Sequence, residues 1–235
     1  MQRDVEVNGM EKKLTIICGI LFLLAAIPIP AFAASSSVLQ IVDAGKPHAV
    51  IVLAPNASAQ VRNAAKTLQE YVQKASRAEI LITDKPEEHE DGKIRIWLGA
   101  SKYATAFKLV LQKMDGDGLL IAFPSPKDIV IVGPTDWGTE FGVYEFLERY
   151  IGVRWLFPGP AGEHVPTVAT IEVPMQTVRQ EPVFFSRHFA SGVHDREQAR
   201  WERRNRKHPR INFSHNLLKL FPPEQYTKSF VLLRV

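Results

Sequence analysis

The acidic side chains are the groups in this sequence that could take part in acid–base chemistry. Hydrolysis of a glycosidic bond, for example, needs two carboxyl groups about 5–10 Å apart, one of them acting as an acid. Between residues 138 and 178 the acidic residues are Glu140, Glu145, Glu148, Glu163 and Glu172. Glu145 and Glu148 fall on the polar side of a predicted helix, which is typical of a solvated face, and Glu163 lies in a predicted loop. We therefore predict no catalytic residue in this region.

Motifs of other chemistries are absent from the sequence. The stretch "GPTDWG" at 133–138 contains neither GK[ST] nor GxGxxG, so it is not a phosphate-binding loop. GxSxG, HExxH and CxxC do not occur, and the chain has one cysteine, Cys18. The sequence therefore predicts neither a metal nor a cofactor. The aromatic residues could stack on sugars, but their spacing favours a place in the core for Trp137, Tyr144, Trp155 and Phe157.

The N-terminus has the pattern of a secretory signal peptide. Lys12 and Lys13 precede an apolar run at 14–33 that ends in "AFA", with small residues where signal peptidase needs them. An uncleaved anchor is the alternative. We predict a signal peptide at 1–33, a mature chain without cysteine, and no stable membrane span after cleavage. The expected location is outside the cell or in the periplasm of a bacterial envelope.

The formal net charge of +4 is concentrated in one stretch, residues 196–210, with seven Lys or Arg and two Glu. Export argues against a nucleic-acid partner. We interpret the stretch as a solvated helix with an exposed basic face. A site for an acidic sugar or an anionic surface is the alternative.

Residues 34–178 have the pattern of one α+β domain. Ser58 and Asp136 are predicted to cap two helices, and Gly152 is predicted to end the second. Short apolar runs predict strands at 49–54, 79–83, 93–99, 117–123, 128–133, 153–159 and 170–174. The turn "PSPK" joins two of them as a hairpin. Hairpins among helices indicate a mixed β-sheet with helices packed against it, not a doubly wound parallel sheet.

The Pro-flanked stretch 174–182 predicts a domain boundary, and residues 179–235 a second domain. A strand at 183–189, a helix over 194–207 and a strand or loop at 211–216 would be the incomplete start of a (β/α)8-type barrel. A full barrel takes about 250 residues, so this part is too short for one. We expect the chain to be a fragment or truncated reading frame, with a poorly ordered tail after about residue 190.

Residues 45–175 resemble a known domain through "DGLLIAF", "GTEFGVYEFLERYIG" and "GVRWLFPGPAGEHVP". This order is similar to the N-terminal, non-catalytic domain of family 67 glycoside hydrolases (alpha-glucuronidases) and of family 20 beta-N-acetylhexosaminidases. Phe141 stands where Tyr or Leu is usual, a mild departure. The resemblance implies an α+β domain that packs against a catalytic barrel and supports it, and a carbohydrate or polysaccharide ligand.

The following part resembles the start of the second domain in an uncharacterised family of secreted hydrolase-like proteins, through "RRNRK" and "HNLLKLFPPEQY". The usual continuation is missing after Thr227, which supports truncation. By resemblance to hexosaminidases, Arg187 in "RHF" would bind sugar hydroxyls, and His188, His215 and Asn216 would join it at the barrel's strand ends. The alternative is that Arg187 pairs with a carboxylate at a domain interface and that His215 caps a turn.

The sequence thus predicts the N-terminal supporting domain of a secreted glycoside-hydrolase-like protein in carbohydrate metabolism. Because the catalytic acids of the resembling enzymes come from later barrel strands, we expect the present chain to be catalytically incomplete. Its partner would be its own missing barrel domain. The alternative function is a non-catalytic carbohydrate-binding module of the cell envelope, and a purely structural envelope domain is a third.

Overall fold

The computed structural model describes residues 37–89, 92–99, 103–189 and 195–211. The predicted signal segment and the candidate site residues His215 and Asn216 lie outside the described residues. Of the helices in the described part, none is long and apolar enough to cross a membrane.

Eleven strands lie in the described residues and form three sheets. They are β1 (Val38–Asp43), β2 (Lys46–Pro47), β3 (Ala49–Leu53), β4 (Leu81–Thr83), β5 (Ile94–Leu98), β6 (Leu119–Ser125), β7 (Asp128–Val132), β8 (Arg154–Trp155), β9 (Glu163–His164), β10 (Ile171–Pro174) and β11 (Val178–Gln180). The main sheet has six strands in the order β11-β6-β7-β5-β3-β4. Its β5-β7, β3-β5 and β3-β4 pairs are parallel, and its β6-β7 and β11-β6 pairs are antiparallel. The α+β prediction with a mixed sheet and a β6-β7 hairpin is confirmed.

The described residues contain four α-helices: α1 (Ala59–Ser76), α2 (Ala104–Leu111), α3 (Asp136–Phe146) and α4 (Arg196–Arg204). Short helical turns lie at Pro86–His89, Leu147–Ile151 and Pro160–Gly162. Helices α1 and α3 pack on one face of the sheet, and α2 packs on the other. The central strands are therefore buried on both faces, which is why β3 and residues 129–132 of β7 are continuous apolar runs.

Helix α1 begins where the sequence predicts it. The Ser58 hydroxyl accepts a hydrogen bond from the Val61 amide, so Ser58 is the N-cap. Helix α3 differs slightly: Thr135 is its N-cap residue and Asp136 is its first helical residue. Asp136 still favours the N-terminus because a carboxylate there interacts with the positive end of the helix dipole.

The opening of α3 lies unusually close to the β6-β7 hairpin. A Cβ built on Gly138 would lie 2.0 Å from the carbonyl oxygen of Gly118. No other residue type fits without moving the helix away from the sheet. This contact explains why a glycine stands at position 138, where its role is close packing rather than chemistry.

A glycine also ends the helical stretch after α3, as predicted. Gly152 has φ 85° and follows the single π-helical turn Leu147–Ile151. Its amide donates to the Leu147 carbonyl at 3.1 Å, which satisfies one of the free carbonyls of the helix end.

Replacing Gly152 with valine is expected to lower the free energy of unfolding by about 1–2 kcal/mol or more. A β-branched residue fits a positive φ poorly, and a Cβ here would lie 3.4 Å from the Pro166 ring. Urea unfolding of the full chain measures the change. Gly159 also has a positive φ but has open space around it, so Gly159→Ala is the control for backbone strain alone. An unchanged midpoint in Gly152→Val would contradict the assigned helix end.

A smaller, three-stranded sheet was not predicted from the sequence. Strand β1 pairs with β10 and β2 in a three-stranded sheet. Its run "VLQIVD" alternates only in part, and it follows a Ser-rich stretch that favours a loop. Its side chains nevertheless join the main core, because Ile41 and Val42 are fully buried.

Residues 178–189, around the predicted start of the second domain, differ in structure from the prediction. Strand β11 pairs with β6, so the main sheet extends across the predicted boundary at residue 178. Residues 183–189 form no strand, although the Arg187 amide donates to the His208 carbonyl. Helix α4 is present as predicted. The described residues therefore do not confirm an incomplete barrel, and the division at 178 stays a prediction.

Candidate functional site

The described residues after β11 lie against the domain that precedes them. We call residues 37–182 the body and residues 183–189 and 195–211 the docked segment. The basic stretch of this segment was predicted to be solvated, and that prediction is wrong for three of its six arginines, Arg204, Arg206 and Arg210. Together with Arg187 they contact five carboxylates of the body: Asp115, Asp117, Glu145, Glu148 and Glu163. We call these contacts the arginine clamp.

Asp117 is the most buried carboxylate of the clamp, with a side chain only 2% exposed. It lies just before β6, where the "DGDG" turn brings its carboxylate under the docked segment. Arg187 Nη2 lies 2.8 Å from Oδ2, and His208 Nδ1 and Arg210 Nη2 lie 2.9 and 2.7 Å from Oδ1. Arg210 also binds Asp115, with Nη1 2.9 Å from Oδ2.

These contacts change the acidity of Asp117. Burial alone would raise its pKa, but hydrogen bonds from Arg210, His208 and Arg187 hold the pKa below its ordinary value. The hydrogen bonds from Arg210 likewise lower the pKa of Asp115. Both carboxylates are therefore ionised at neutral pH, which suits ion pairing and excludes either group as a general acid there.

Glu163 forms the second centre of the clamp. It accepts a hydrogen bond from the Tyr71 hydroxyl, and Arg204 Nη1 lies 2.5 Å from Oε1. Lys74 Nζ lies 3.5 Å from Oε2. Burial opposes the charge, but Tyr71, Arg204 and Lys74 together hold the pKa of Glu163 below its ordinary value. Burial and the Glu163 hydrogen bond raise the pKa of Tyr71, so its hydroxyl is a permanent donor.

Helix α3 and the turn after it supply the third centre. Glu145 was predicted to be solvated, but it is buried, and that prediction is wrong. Arg149 Nε and Gln180 Nε2 donate to Glu145 Oε1 at 2.8 and 2.9 Å. Arg206 of the docked segment lies 2.6 Å from Glu148 Oε2 and 3.7 Å from Glu145 Oε2. The helix is buried all round because the docked segment covers the side that an isolated domain would expose to water.

Aromatic side chains complete the interface. The indole of Trp201 and the amide of Asn205 donate to the Trp155 carbonyl at 3.0 and 3.1 Å. His208 stacks on Trp137 with ring centroids 3.8 Å apart. The core prediction is confirmed for Trp155 and Tyr144, whereas Trp137 is half-buried at the interface.

Phe157 was also predicted to lie in the core, and that prediction is wrong. Its side chain is exposed, on the loop after β8. The short strand β8 ends at Trp155, before Phe157, so the strand predicted over 153–159 does not carry Phe157 into the core.

The candidate sugar-binding residues have different positions. Arg187 donates from Nε to the Arg206 carbonyl at 3.0 Å and from Nη1 to the Phe184 carbonyl at 3.0 Å, besides its pair with Asp117. It therefore has the interface contact that was the alternative to sugar binding. His188 is exposed, and the structure does not bring it to Asp117. A sugar-binding role for Arg187, His188, His215 and Asn216 stays a prediction.

The acidic partners of the clamp were not found by sequence reasoning. Asp117 was interpreted only as the first residue of a predicted strand, and Asp115 was not singled out. The available signal was the excess of arginine in 196–210 over nearby acids, since so many buried or half-buried guanidinium groups need carboxylate partners elsewhere.

A separate buried carboxylate lies at the first residue of β7, away from the clamp. Asp128 accepts hydrogen bonds from Arg95 Nε at 2.9 Å, Trp97 Nε1 at 2.7 Å and Tyr103 Oη at 2.8 Å, and also from Ser125. Burial alone would raise the pKa of Asp128, but the Ser125, Trp97 and Tyr103 hydrogen bonds and the charge of Arg95 hold it below its ordinary value. With its oxygens occupied, Asp128 joins the ends of β5 and β7 and has a structural role.

Within the described part of the chain, no three His, Cys, Asp or Glu side chains are grouped so that they could hold a metal ion. The buried carboxylates Asp117, Asp128 and Glu145 are instead held by arginine, histidine, tyrosine, tryptophan and amide donors. The arrangement is suited to holding two parts of a chain together.

Comparisons with known proteins give structural neighbours only. No protein-family model matches the chain, and no curated protein matches it. A solved family GH115 4-O-methyl-alpha-glucuronidase with specificity for decorated arabinogalactans is 18% identical, with a TM-score of 0.43, over 64% of this chain and 19% of that one. A Streptomyces plicatus beta-hexosaminidase is 16% identical, with a TM-score of 0.41, over 65% of this chain and 25% of that one.

A third neighbour is the GH20 exo beta-N-acetylglucosaminidase of Vibrio harveyi, which is 15% identical with a TM-score of 0.38. It is covered over 18% of its length by 65% of this chain. The chain thus spans a quarter or less of each of these three glycoside hydrolases.

Proposed function

We propose that this chain is the N-terminal supporting part of a secreted glycoside-hydrolase-like protein that acts in carbohydrate metabolism. In this role the body holds the beginning of the following domain in a fixed position. The arginine clamp is the observation that carries the proposal. Four arginines of the docked segment reach carboxylates of the body across a half-buried interface.

The clamp is stronger than a set of surface ion pairs. Exposed pairs contribute about 0–1 kcal/mol each, because water and salt screen them. Here the Asp117 carboxylate is buried, and Arg204 and Arg210 are only 15% and 14% exposed. Breaking one side of such a pair leaves a buried charge without a partner, which costs about 3–5 kcal/mol. The interface therefore favours one fixed arrangement of the segment.

The carbohydrate class is proposed from the sequence resemblance of residues 45–175 to the non-catalytic domain of family 67 and family 20 glycoside hydrolases. The supporting role of that domain agrees with the interface described above. The finer assignment to the alpha-glucuronidase type rests on the motifs "GTEFGVYEFLERYIG" and "GVRWLFPGPAGEHVP". We propose that catalysis needs acids from a barrel domain that is not among these residues.

The full chain is expected to hydrolyse no aryl glycoside, including glucuronides and N-acetylglucosaminides. Asp115, Asp117 and Glu163 have lowered pKa values, so none of them holds a proton for a leaving group near neutral pH. The measurement is release of the chromophore by the purified chain. Turnover above background that disappears when one carboxylate is replaced would contradict the supporting role and make the chain an enzyme.

Export is part of the proposal and rests on the pattern at 1–33. The mature N-terminus of the exported protein, determined by mass spectrometry, is expected at Ala34. An intact Met1 in that protein would contradict it.

The second candidate function is a non-catalytic carbohydrate-binding module. A polar groove beside the clamp, lined by residues of both the body and the docked segment, is the observation that favours it.

A further inference from the structure

A groove of about 640 Å³ runs between α1, α3 and α4. Helix α1 contributes neutral polar side chains, Asn63 and Thr67, and α3 contributes Tyr144. Helix α4 and the turn after it contribute Arg203 and Lys207. The volume suits one to three sugar rings, since small-molecule sites range from about 300 to 1,000 Å³.

The carboxylates of this groove already have partners. Glu140 accepts hydrogen bonds from Gln60 Nε2 at 2.7 Å and Tyr144 Oη at 2.6 Å. Glu202 accepts from Gln198 Nε2 at 2.7 Å, and Glu70 lies 2.7 Å from Lys74 Nζ. Their capacity to bind a cation or a sugar hydroxyl is therefore partly used.

Two cations of the groove, Arg203 and Lys207, are less occupied, whereas Arg200 and Arg204 pair with Glu197 and Glu163. Arg203 lies over the Trp137 ring, 4.4 Å from its centroid, and its nearest carboxylate oxygen is on Glu140 at 3.7 Å, beyond hydrogen-bond distance. Lys207 lies 5.1 and 5.2 Å from the ring centroids of Phe189 and Trp201, and no carboxylate of the described residues pairs with it. The Arg203 side chain is 44% exposed and lines the groove.

We propose that this groove binds a short saccharide that carries an anionic group. The anion would accept charge-assisted hydrogen bonds from Arg203 and Lys207, and the sugar hydroxyls would bind Asn63 and Thr67 on the opposite wall. Trp137 takes no part as a stacking platform, because His208 stacks on it and Arg203 lies over it. The shared ligand chemistry is an anionic group beside hydroxyl groups, either as a sugar carboxylate or as a sugar sulfate.

The groove exists only while α4 is docked, since α4 forms one wall. A ligand that binds only this state stabilises it by mass action. Ligand binding and the arginine clamp are therefore coupled: saturating ligand slows the release of the docked segment. The class of ligand rests on the proposed carbohydrate function, whereas the position of the site rests on the groove itself.

The test is calorimetric titration of the full chain at fixed ionic strength with four probes. These are trigalacturonic acid, a sulfated chondroitin disaccharide, neutral maltotriose and sodium sulfate. We expect saturable binding of at least one anionic saccharide, and none of maltotriose or sulfate ion at the same concentrations. The first two probes distinguish a carboxylate from a sulfate as the anionic group.

Variants locate the site. Arg203→Gln and Lys207→Gln are each expected to weaken binding about tenfold, the effect of losing one charge-assisted hydrogen bond. Arg196→Gln is the matched control, because Arg196 is exposed on the same helix and does not line the groove. It removes the same charge and should leave the affinity unchanged.

Equal binding of maltotriose or of sulfate ion alone would overturn the proposal, as would equal losses in Arg203→Gln and Arg196→Gln. Binding of none of the probes by the wild-type chain would also overturn it. That last result leaves the supporting role standing, because the protection of the docked segment from protease tests that role separately. Hydrogen exchange of α4 in each variant shows whether the wall of the groove is still docked.

Discussion

Replacing Asp128 with alanine is expected to lower the free energy of unfolding of the body by about 3–5 kcal/mol. The change leaves Arg95 without its buried partner and removes the acceptor of the Trp97 and Tyr103 hydrogen bonds. Because Asp128 joins β5 to the β6-β7 hairpin, the lost hydrogen bonds are at the centre of the sheet. Urea unfolding followed by circular dichroism measures it.

Asp84→Ala is the matched control, since Asp84 is exposed in the loop after β4. Its effect should stay within about 0.5 kcal/mol, as is usual for surface substitutions. If both variants unfold at the same urea concentration as the wild type, the buried network around Asp128 does not hold the sheet together.

The same carboxylate gives a pH dependence. The pKa of Asp128 is lower in the folded chain than its ordinary value of about 3.9. Its contribution to stability is therefore complete above about pH 4 and is lost as the pH falls through the folded pKa. The stability difference between the wild type and Asp128→Ala should shrink in acid. A difference that grows as the pH falls would contradict the assignment.

Replacing Asp117 with alanine is expected to release the docked segment while the body stays folded. Arg187 and Arg210 lose the buried carboxylate with which they pair. A buried charge left without its partner costs about 3–5 kcal/mol. The segment can avoid this cost by moving into water, so the loss appears as local opening rather than global unfolding. Hydrogen exchange should show faster exchange of the α4 amides by about a hundredfold or more, with β3, β5 and β7 unchanged.

Glu172→Ala provides the comparison, because Glu172 is an exposed carboxylate of the body on β10. It removes one negative charge at a distance from the docked segment and should leave the exchange of α4 unchanged. Equal acceleration in both variants would show that net charge, not the contact with Asp117, holds the segment. Unchanged hydrogen exchange of α4 in Asp117→Ala would contradict the role of the arginine clamp in holding the docked segment.

The elements with strong local patterns could be predicted from the sequence. Helix α1, its Ser58 cap and the hairpin β6-β7 depend on nearby residues, and the structure confirms each. Gly152 could be recognised because a helix end needs a left-handed residue. The fold class followed from the mixture of hairpins and helices.

The candidate site depends on long-range contacts, and there the sequence was a poor guide. Glu145 belongs to the polar side of α3 by its position, yet it is covered by the docked segment, whose Arg206 lies some sixty residues later in the sequence. The excess of arginine in 196–210 indicates that partners are needed, but nothing local to this stretch identifies them, so a solvated helix was the natural interpretation. The expectation of a poorly ordered tail failed for residues 195–211 for the same reason.

Limited digestion of the wild-type chain with trypsin tests the central claim most directly. The basic stretch 196–210 of the docked segment offers cleavage sites after Arg196, Arg200, Arg203, Arg204, Arg206, Lys207 and Arg210. The arginine clamp predicts that cleavage at these sites is at least about a hundredfold slower in the folded chain than in the same chain unfolded in urea. Mass spectrometry follows the cleavage, and the rates are corrected for the lower activity of trypsin in urea. Cleavage within 196–207 as fast as in the unfolded chain would contradict the claim that the body holds this segment in place.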